Sequence, residues 1–177
     1  ELHAGAQRHF SKHPAPPPAP SPNALRGELE RALLRGLPMG ERDRKVLVDN
    51  EALVAELDAE EFAGVFALNE LRYVLGRPLL RIDGKLCLAA RDHSQDMERL
   101  GFFAHESPVP GKRTPSDRAS RFGTSGGAEN IAAGQTRGAG AIEAWWYSPG
   151  HHRNMLGDHG RVGLGRAGTL WTQMFGG

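Results

Sequence analysis

The 177-residue sequence has a single cysteine, Cys87. No internal disulfide can form, and a zinc site built from several cysteines is excluded. Flanked by leucines in "GKLCLAARDHSQDM", Cys87 reads as a small buried apolar residue. No apolar run approaches the ~20 residues a membrane helix requires. Excess charge is missing too: 22 Lys+Arg against 21 Asp+Glu give a net charge of +1. That balance supplies no basic face for nucleic acid and none for an anionic membrane surface. No signal peptide is evident. The chain begins at Glu1, as expected of a processed form, so this absence does not argue for the cytoplasm.

What is present suffices for one domain with an appendage, since 39% of residues are hydrophobic. Six of the twelve prolines fall between Pro14 and Pro22. Such a tract stays extended and solvated, so residues 1–23 read as a linker or stalk. Residues 24–57 read as a helical extension, in which Val46, Asn50, Leu53 and Leu57 follow helical spacing. The main domain is expected over 58–177.

In that domain Asp58 and Glu61 have the spacing of a capping box ahead of a helix closed by Gly76 and Pro78. A second helix is expected over 84–101, with Leu86, Ala90, His93, Met97 and Leu100 on one stripe and Gly101 at its end. His93 reads as a satisfied buried histidine. A short helix starts at Thr114-Pro115, "AENIAAG" suits a strand, and Gly138–Tyr147 reads as a helix broken by Pro149-Gly150. The period then changes. "RVGLG" and "LWTQMF" alternate, and "RAGT" between them suits a hairpin. Trp171, Gln173 and Phe175 fall on one side of the last strand, and Leu170, Thr172 and Met174 on the other. Helices first, then strands with an interposed helix, predict an α+β domain whose helices cover an antiparallel sheet.

Two catalytic motifs fail on context. "GTSGG" matches G-x-S-x-G at Ser125, but a helix precedes it and a strand follows, the reverse of what an exposed serine nucleophile needs. His105-Glu106 runs into Pro108, which rules out a zinc-binding H-E-x-x-H helix. A dispersed set remains: His105, Glu129, His151 and His152, each at an element end or in a glycine-rich loop. Two imidazoles and a carboxylate can bind a divalent metal with water in an open position. They can equally form an acid–base set without metal.

"GFFAHESP", "AENIAAG", "AIEAWWYSPGHHRNML" and "RVGLG…LWTQMFG" occur in the order seen in bacterial proteins of the CAP superfamily, the group of cysteine-rich secretory proteins, antigen 5 and plant pathogenesis-related proteins. "LNELR" (68–72) resembles the family's opening H-N-x-x-R, with leucine in place of histidine. The resemblance runs from about Glu61 to Gly176. It implies a three-layer α-β-α sandwich with a central antiparallel sheet. It also implies secretion or attachment at the cell envelope, and a cleft lined by two His and two Glu that binds a divalent metal in some members. Residue by residue it assigns His105, Glu129 and His151 to that cleft, with Asn130 and Ser148 beside them. The metal would fall to His105 and His151, with zinc the first candidate. Ser148 stands where eukaryotic members place the second glutamate, so the four-residue set is incomplete. The functions implied are a binding module for an extracellular lipid, sterol or wall glycan, a hydrolase using His105, Glu129 and His151, or a structural adhesion domain. Asn130, Asn154 and Gln173 are expected to bond backbone. At least two of the three tryptophans should be core, with Trp146 or Tyr147 free to meet a ligand at the cleft edge.

Overall fold

The computed structural model describes residues 39–177. The stalk expected over 1–23 and the first part of the helical extension, 24–38, lie outside the described residues. The extension contributes α1 (Glu41–Glu51) and a 3-10 turn (Val54–Glu56). Then follow α2 (Ala59–Val74), β1 (Arg81–Ile82), α3 (Gly84–Leu100) and α4 (Pro115–Arg121). After these come β2 (Ala128–Ala133), α5 (Gly138–Trp146), α6 (Pro149–Met155), β3 (Arg161–Ala167) and β4 (Leu170–Gly176).

The four strands lie in the order β1-β3-β4-β2. β3 and β4 form the expected antiparallel hairpin, and β2 pairs antiparallel with β4. β1 departs from the antiparallel expectation: it runs parallel to β3, and at two residues it is too short to betray itself by alternation. Strand period separates the two faces. Val162, Leu164, Trp171 and Phe175 pack with Val65 and Leu68 of α2 and Ile142 and Trp145 of α5. Met174 packs with Leu86, Ala89 and Ala90 of α3 and with Ala119 of α4. The result is an α-β-α sandwich. The α3 side is tight because Gly163 and Gly165 face it. A Cβ on Gly165 would collide with the Arg91 backbone, and one on Gly163 with the Leu86 and Cys87 backbone.

Local chemistry sets the helix ends. Asp58 caps α2 by accepting from the Glu60 and Glu61 amides. Glu61 does not complete a capping box. It turns into the core, where Oε1 accepts from Arg91 Nε and the Arg166 amide and Oε2 meets Arg91 Nη2. A salt-bridged residue between α2, α3 and β3 outweighs one more cap. Asp83 caps α3, and Gly101 ends it in the left-handed region at φ 69°. Thr114 and Asp117 make a full capping box at α4. Leu86, Ala90, His93 and Met97 are buried as expected, whereas Leu100 is 44% exposed. Pro149 ends α5 but also opens α6, because proline needs no amide partner at a first helical position.

The extension is part of the packed unit. Met39, Val46 and Leu47 bury against Leu79, Phe66 and Tyr73. Asn50 reaches the free side of β1: its Nδ2 donates to Leu80 O at 3.1 Å and its Oδ1 accepts from the Ile82 amide at 2.7 Å. One side chain thus makes the bonds a neighbouring strand would make.

Candidate functional site

β2 is the other edge of the sheet, and the candidate residues gather there. The strand period sends Glu129 and Asn130 to opposite faces. Glu129 lies on the α3 side, 1% exposed at its side chain, and receives three elements. Its Oε1 accepts from His105 Nδ1 at 2.9 Å, and its Oε2 from Arg118 Nη2 at 2.5 Å. His93 Nε2 lies 3.9 Å from Oε1. Arg118 is fully buried and also donates to His105 O, Lys112 O and Arg113 O. It therefore ties the loop carrying His105 to the carboxylate that orients the ring. Lys112 anchors the same loop to α3 through Asp92 and Asp96 at 2.7 and 2.9 Å.

His105 itself is 51% exposed. With the carboxylate on Nδ1, the proton belongs on Nδ1 and Nε2 keeps its lone pair for a ligand. His151 sits in the first turn of α6, half-buried, and its ring makes no hydrogen bond among the described residues. Burial, and then the nearby charge of His105, hold its pKa below the ordinary imidazole value. His151 is thereby biased toward its neutral, lone-pair-bearing form. His93 is fully buried, donating Nε2–H to Ala104 O while Nδ1 finds no partner. Burial chiefly, with Arg118 adding to it, keeps His93 neutral against the pull of Glu129.

On the opposite face of β2, Asn130 is fully buried, so it does not line the cleft. Its Nδ2 donates to Gln173 Oε1 at 3.0 Å and to His151 O at 3.3 Å, and its Oδ1 accepts from Asn154 Nδ2 at 2.9 Å. Asn154 Nδ2 also donates to Glu129 O. Gln173, expected to reach backbone, meets this side chain instead. The chain Gln173–Asn130–Asn154 clamps α6 onto the strand and so fixes His151 relative to Glu129. From below, the buried Arg72 of "LNELR" donates Nη1 to Met155 O and Gly157 O at the end of α6. Burial pushes its pKa down to about 10, still charged at neutral pH and suited to a helix C-terminus.

The two adjacent histidines separate. His152 Nδ1 bonds Trp146 O at 3.0 Å and its ring packs on Trp146, so it holds the α5–α6 corner. Trp146 is only 6% exposed and cannot meet a ligand at the rim, whereas Tyr147 is 64% exposed. Ser148 is the N-cap of α6 without a side-chain cap bond. Among the described residues Ser125 donates to no base, and its hydroxyl accepts from Arg161. Cys87 is buried with its thiol pushed up to about 12, so it is inert as a nucleophile. Sequence reading missed Arg118 and the proximity of His93. Neither has a local signal, because their partner lies across the fold.

As a metal centre the set is sparse. Among the described residues, no group of three or more His, Cys, Asp and Glu side chains is placed to hold a metal ion. Glu129 has both oxygens engaged, which leaves His105 and His151 as donors. The donor chemistry fits zinc: imidazoles are its usual ligands, and a carboxylate on Nδ1 orients a zinc-binding histidine. Any further ligands would be water or the bound molecule.

Comparison with known proteins decides the family. The model of the CAP, or cysteine-rich secretory protein, family matches residues 65–171. The chain belongs to the CAP family. Among relatives, YkwD of Bacillus subtilis is 38% identical over 126 residues, 68% of this chain and 48% of its own length. YlbC of the same organism, described as an uncharacterised membrane protein, is 30% identical over 108 residues, 60% of this chain and 31% of its own length. The chain thus spans about half or less of these relatives. Among solved structures, an extracellular Bacillus anthracis protein containing an SCP domain superposes with a TM-score of 0.63 at 31% identity, covering 66% of this chain and 40% of that one. An outer surface protein of Borrelia burgdorferi shares the fold with a TM-score of 0.59 at 23% identity, covering 68% and 95%. No helix among the described residues is long and apolar enough to cross a membrane.

Proposed function

We propose that this CAP domain is a binding module working outside the cell or at its envelope, in which the imidazoles of His105 and His151 hold a hydroxyl-rich wall glycan, with a divalent cation between them. The observation that carries this is the engagement of Glu129. Its two oxygens serve His105 and Arg118, so the carboxylate orients a ring and balances a buried charge, and neither oxygen is left to exchange protons with a substrate. Ser148 supplies no second carboxylate. Two exposed aromatic residues lie close in sequence to the two histidines, Phe103 at 52% and Tyr147 at 64% exposure, and flat rings of this kind stack on sugar faces. Two structural relatives are an extracellular and an outer surface protein, which supports the location. Zinc held there would act as an anchor for ligand oxygens.

Calorimetry with zinc alone, then with soluble wall-glycan fragments, tests this on the wild type and on His105→Ala/His151→Ala. Both affinities should fall at least about tenfold in the double variant. Unchanged zinc binding would remove the cleft as the metal site. Unchanged glycan binding would remove the reading itself. A hydrolase remains the second reading, favoured by one feature: a carboxylate on Nδ1 is also what orients a general base. Turnover of a peptide or ester panel that vanishes in His105→Ala would establish it in place of simple binding.

A further inference from the structure

A large cavity lies at the other edge of the sheet from the histidines. A groove of about 830 Å³ opens between the extension and the main domain, beside β1 and the first turns of α3. Its size suits a small organic ligand, whose sites span roughly 300–1,000 Å³. Leu53 and Leu57 line it from the extension, and Ile82 and Leu88 from the domain. Leu88 is 47% exposed, an apolar side chain left uncovered inside the groove. Among the described residues no Trp, Tyr or Phe lines the groove, so it lacks the flat platform that a sugar ring uses, and the apolar part of its lining is aliphatic.

The charges around it are not balanced. Arg91 is held by Glu61, Arg161 by Asp83, and the lining Asp49 by Lys45. Two lining cations remain without an ion pair among the described residues. Arg81 is exposed and makes no side-chain hydrogen bond among the described residues. Lys85 donates to Gly123 O at 3.2 Å and makes no ion pair among the described residues. A second hollow of about 330 Å³ shares Asp49, Arg81 and Arg161 with the first, so Arg81 stands where the two meet.

We propose that this groove is a second binding site, for an acyl chain carrying an anionic head, with the chain along Leu53, Leu57, Ile82 and Leu88 and the head between Arg81 and Lys85. An aliphatic wall with two uncompensated cations at its rim matches an amphipathic anion and no neutral glycan. The site depends on the extension for one wall and lies across the sheet from the His105 cleft, so it stands or falls separately from the proposed function.

The test uses the full chain and oleate below its micellar concentration, followed by calorimetry. Oleoyl lysophosphatidate and oleyl alcohol serve as a phosphate-headed and a neutral counterpart. Saturable binding of one or both anions, with the alcohol at least about tenfold weaker, is expected. Tighter binding of lysophosphatidate would assign the head to a phospholipid source, and tighter oleate to a free carboxylate. Arg81→Gln/Lys85→Gln should weaken the anion about tenfold, and Leu88→Asp should weaken it with both cations present. His105→Ala/His151→Ala should bind it as the wild type does. Equal binding of the alcohol, no loss in either groove variant, no saturable binding, or loss in the histidine variant would each overturn the proposal.

Discussion

Arg118 and Glu129 illustrate how much a single buried pair decides. Each neutralises the other, and the carboxylate has one oxygen left to orient His105. Arg118→Met strands the carboxylate and frees the His105 loop. It should cost about 3–5 kcal/mol in urea unfolding, whereas a double change to apolar residues of similar size should cost less. At His151 the expectation concerns protons. Its NMR titration midpoint should lie below 6.5, and His105→Ala should raise it only part of the way, because burial is the larger cause and persists. A histidine depressed in the folded state binds its proton more readily when unfolded. Stability is therefore complete above the ordinary value of 6.5 and falls as pH drops through the folded values of His93 and His151. Chemical unfolding between pH 7.5 and 5 should show that slope, shallower in His151→Gln. His105, Glu129 and His151 were legible because each lies inside a recognisable motif. Arg118 and His93 were not, since only the folded chain brings α3, α4 and β2 to one carboxylate.

Among the elements, α6 matters most for the cleft, and it is short. Seven residues hold no helix by themselves in water. Asn154 pins it to β2, and Arg72 closes its far end. Arg72→Lys keeps the charge but not the forked reach to Pro78 O, Met155 O and Gly157 O. Amide exchange over 149–157 should accelerate in that variant more than over α3. The same scale explains what could be read beforehand. α2 and α3 carry long periodic patterns and clear caps, and α5 and the β3–β4 hairpin carry shorter periodic patterns, so their faces were set by the residues alone. β1 has two residues and no pattern. α6 begins at a Pro-Gly pair that reads as a break after α5, and the side chain that closes its C-terminal end, Arg72, comes from α2.

For the molecule as a whole, the extension is a working part of the sheet. Family matching starts at residue 65, yet Asn50 bonds β1 and Met39, Val46 and Leu47 fill a cluster with Leu79. Deleting residues 1–52 should therefore lower the melting temperature by several degrees or more, measured by calorimetry. Asn50→Ala alone should cost about 1–3 kcal/mol, because the Ile82 amide loses its acceptor. The hydrophobic spacing of Val46, Asn50, Leu53 and Leu57 showed that the segment needed burial. It did not show the surface that would receive it, since that surface belongs to residues 66–82.

Asn50 at one edge of the sheet has counterparts at the other, where Trp145 Nε1 donates to Ile131 O and Asn154 to Glu129 O. Both outer strands thus have backbone positions already claimed by side chains from the same molecule. A second copy arriving alongside finds little open ladder to extend. Strand-to-strand joining of copies is thus disfavoured at both sides of the sheet, and with it one route to fibres.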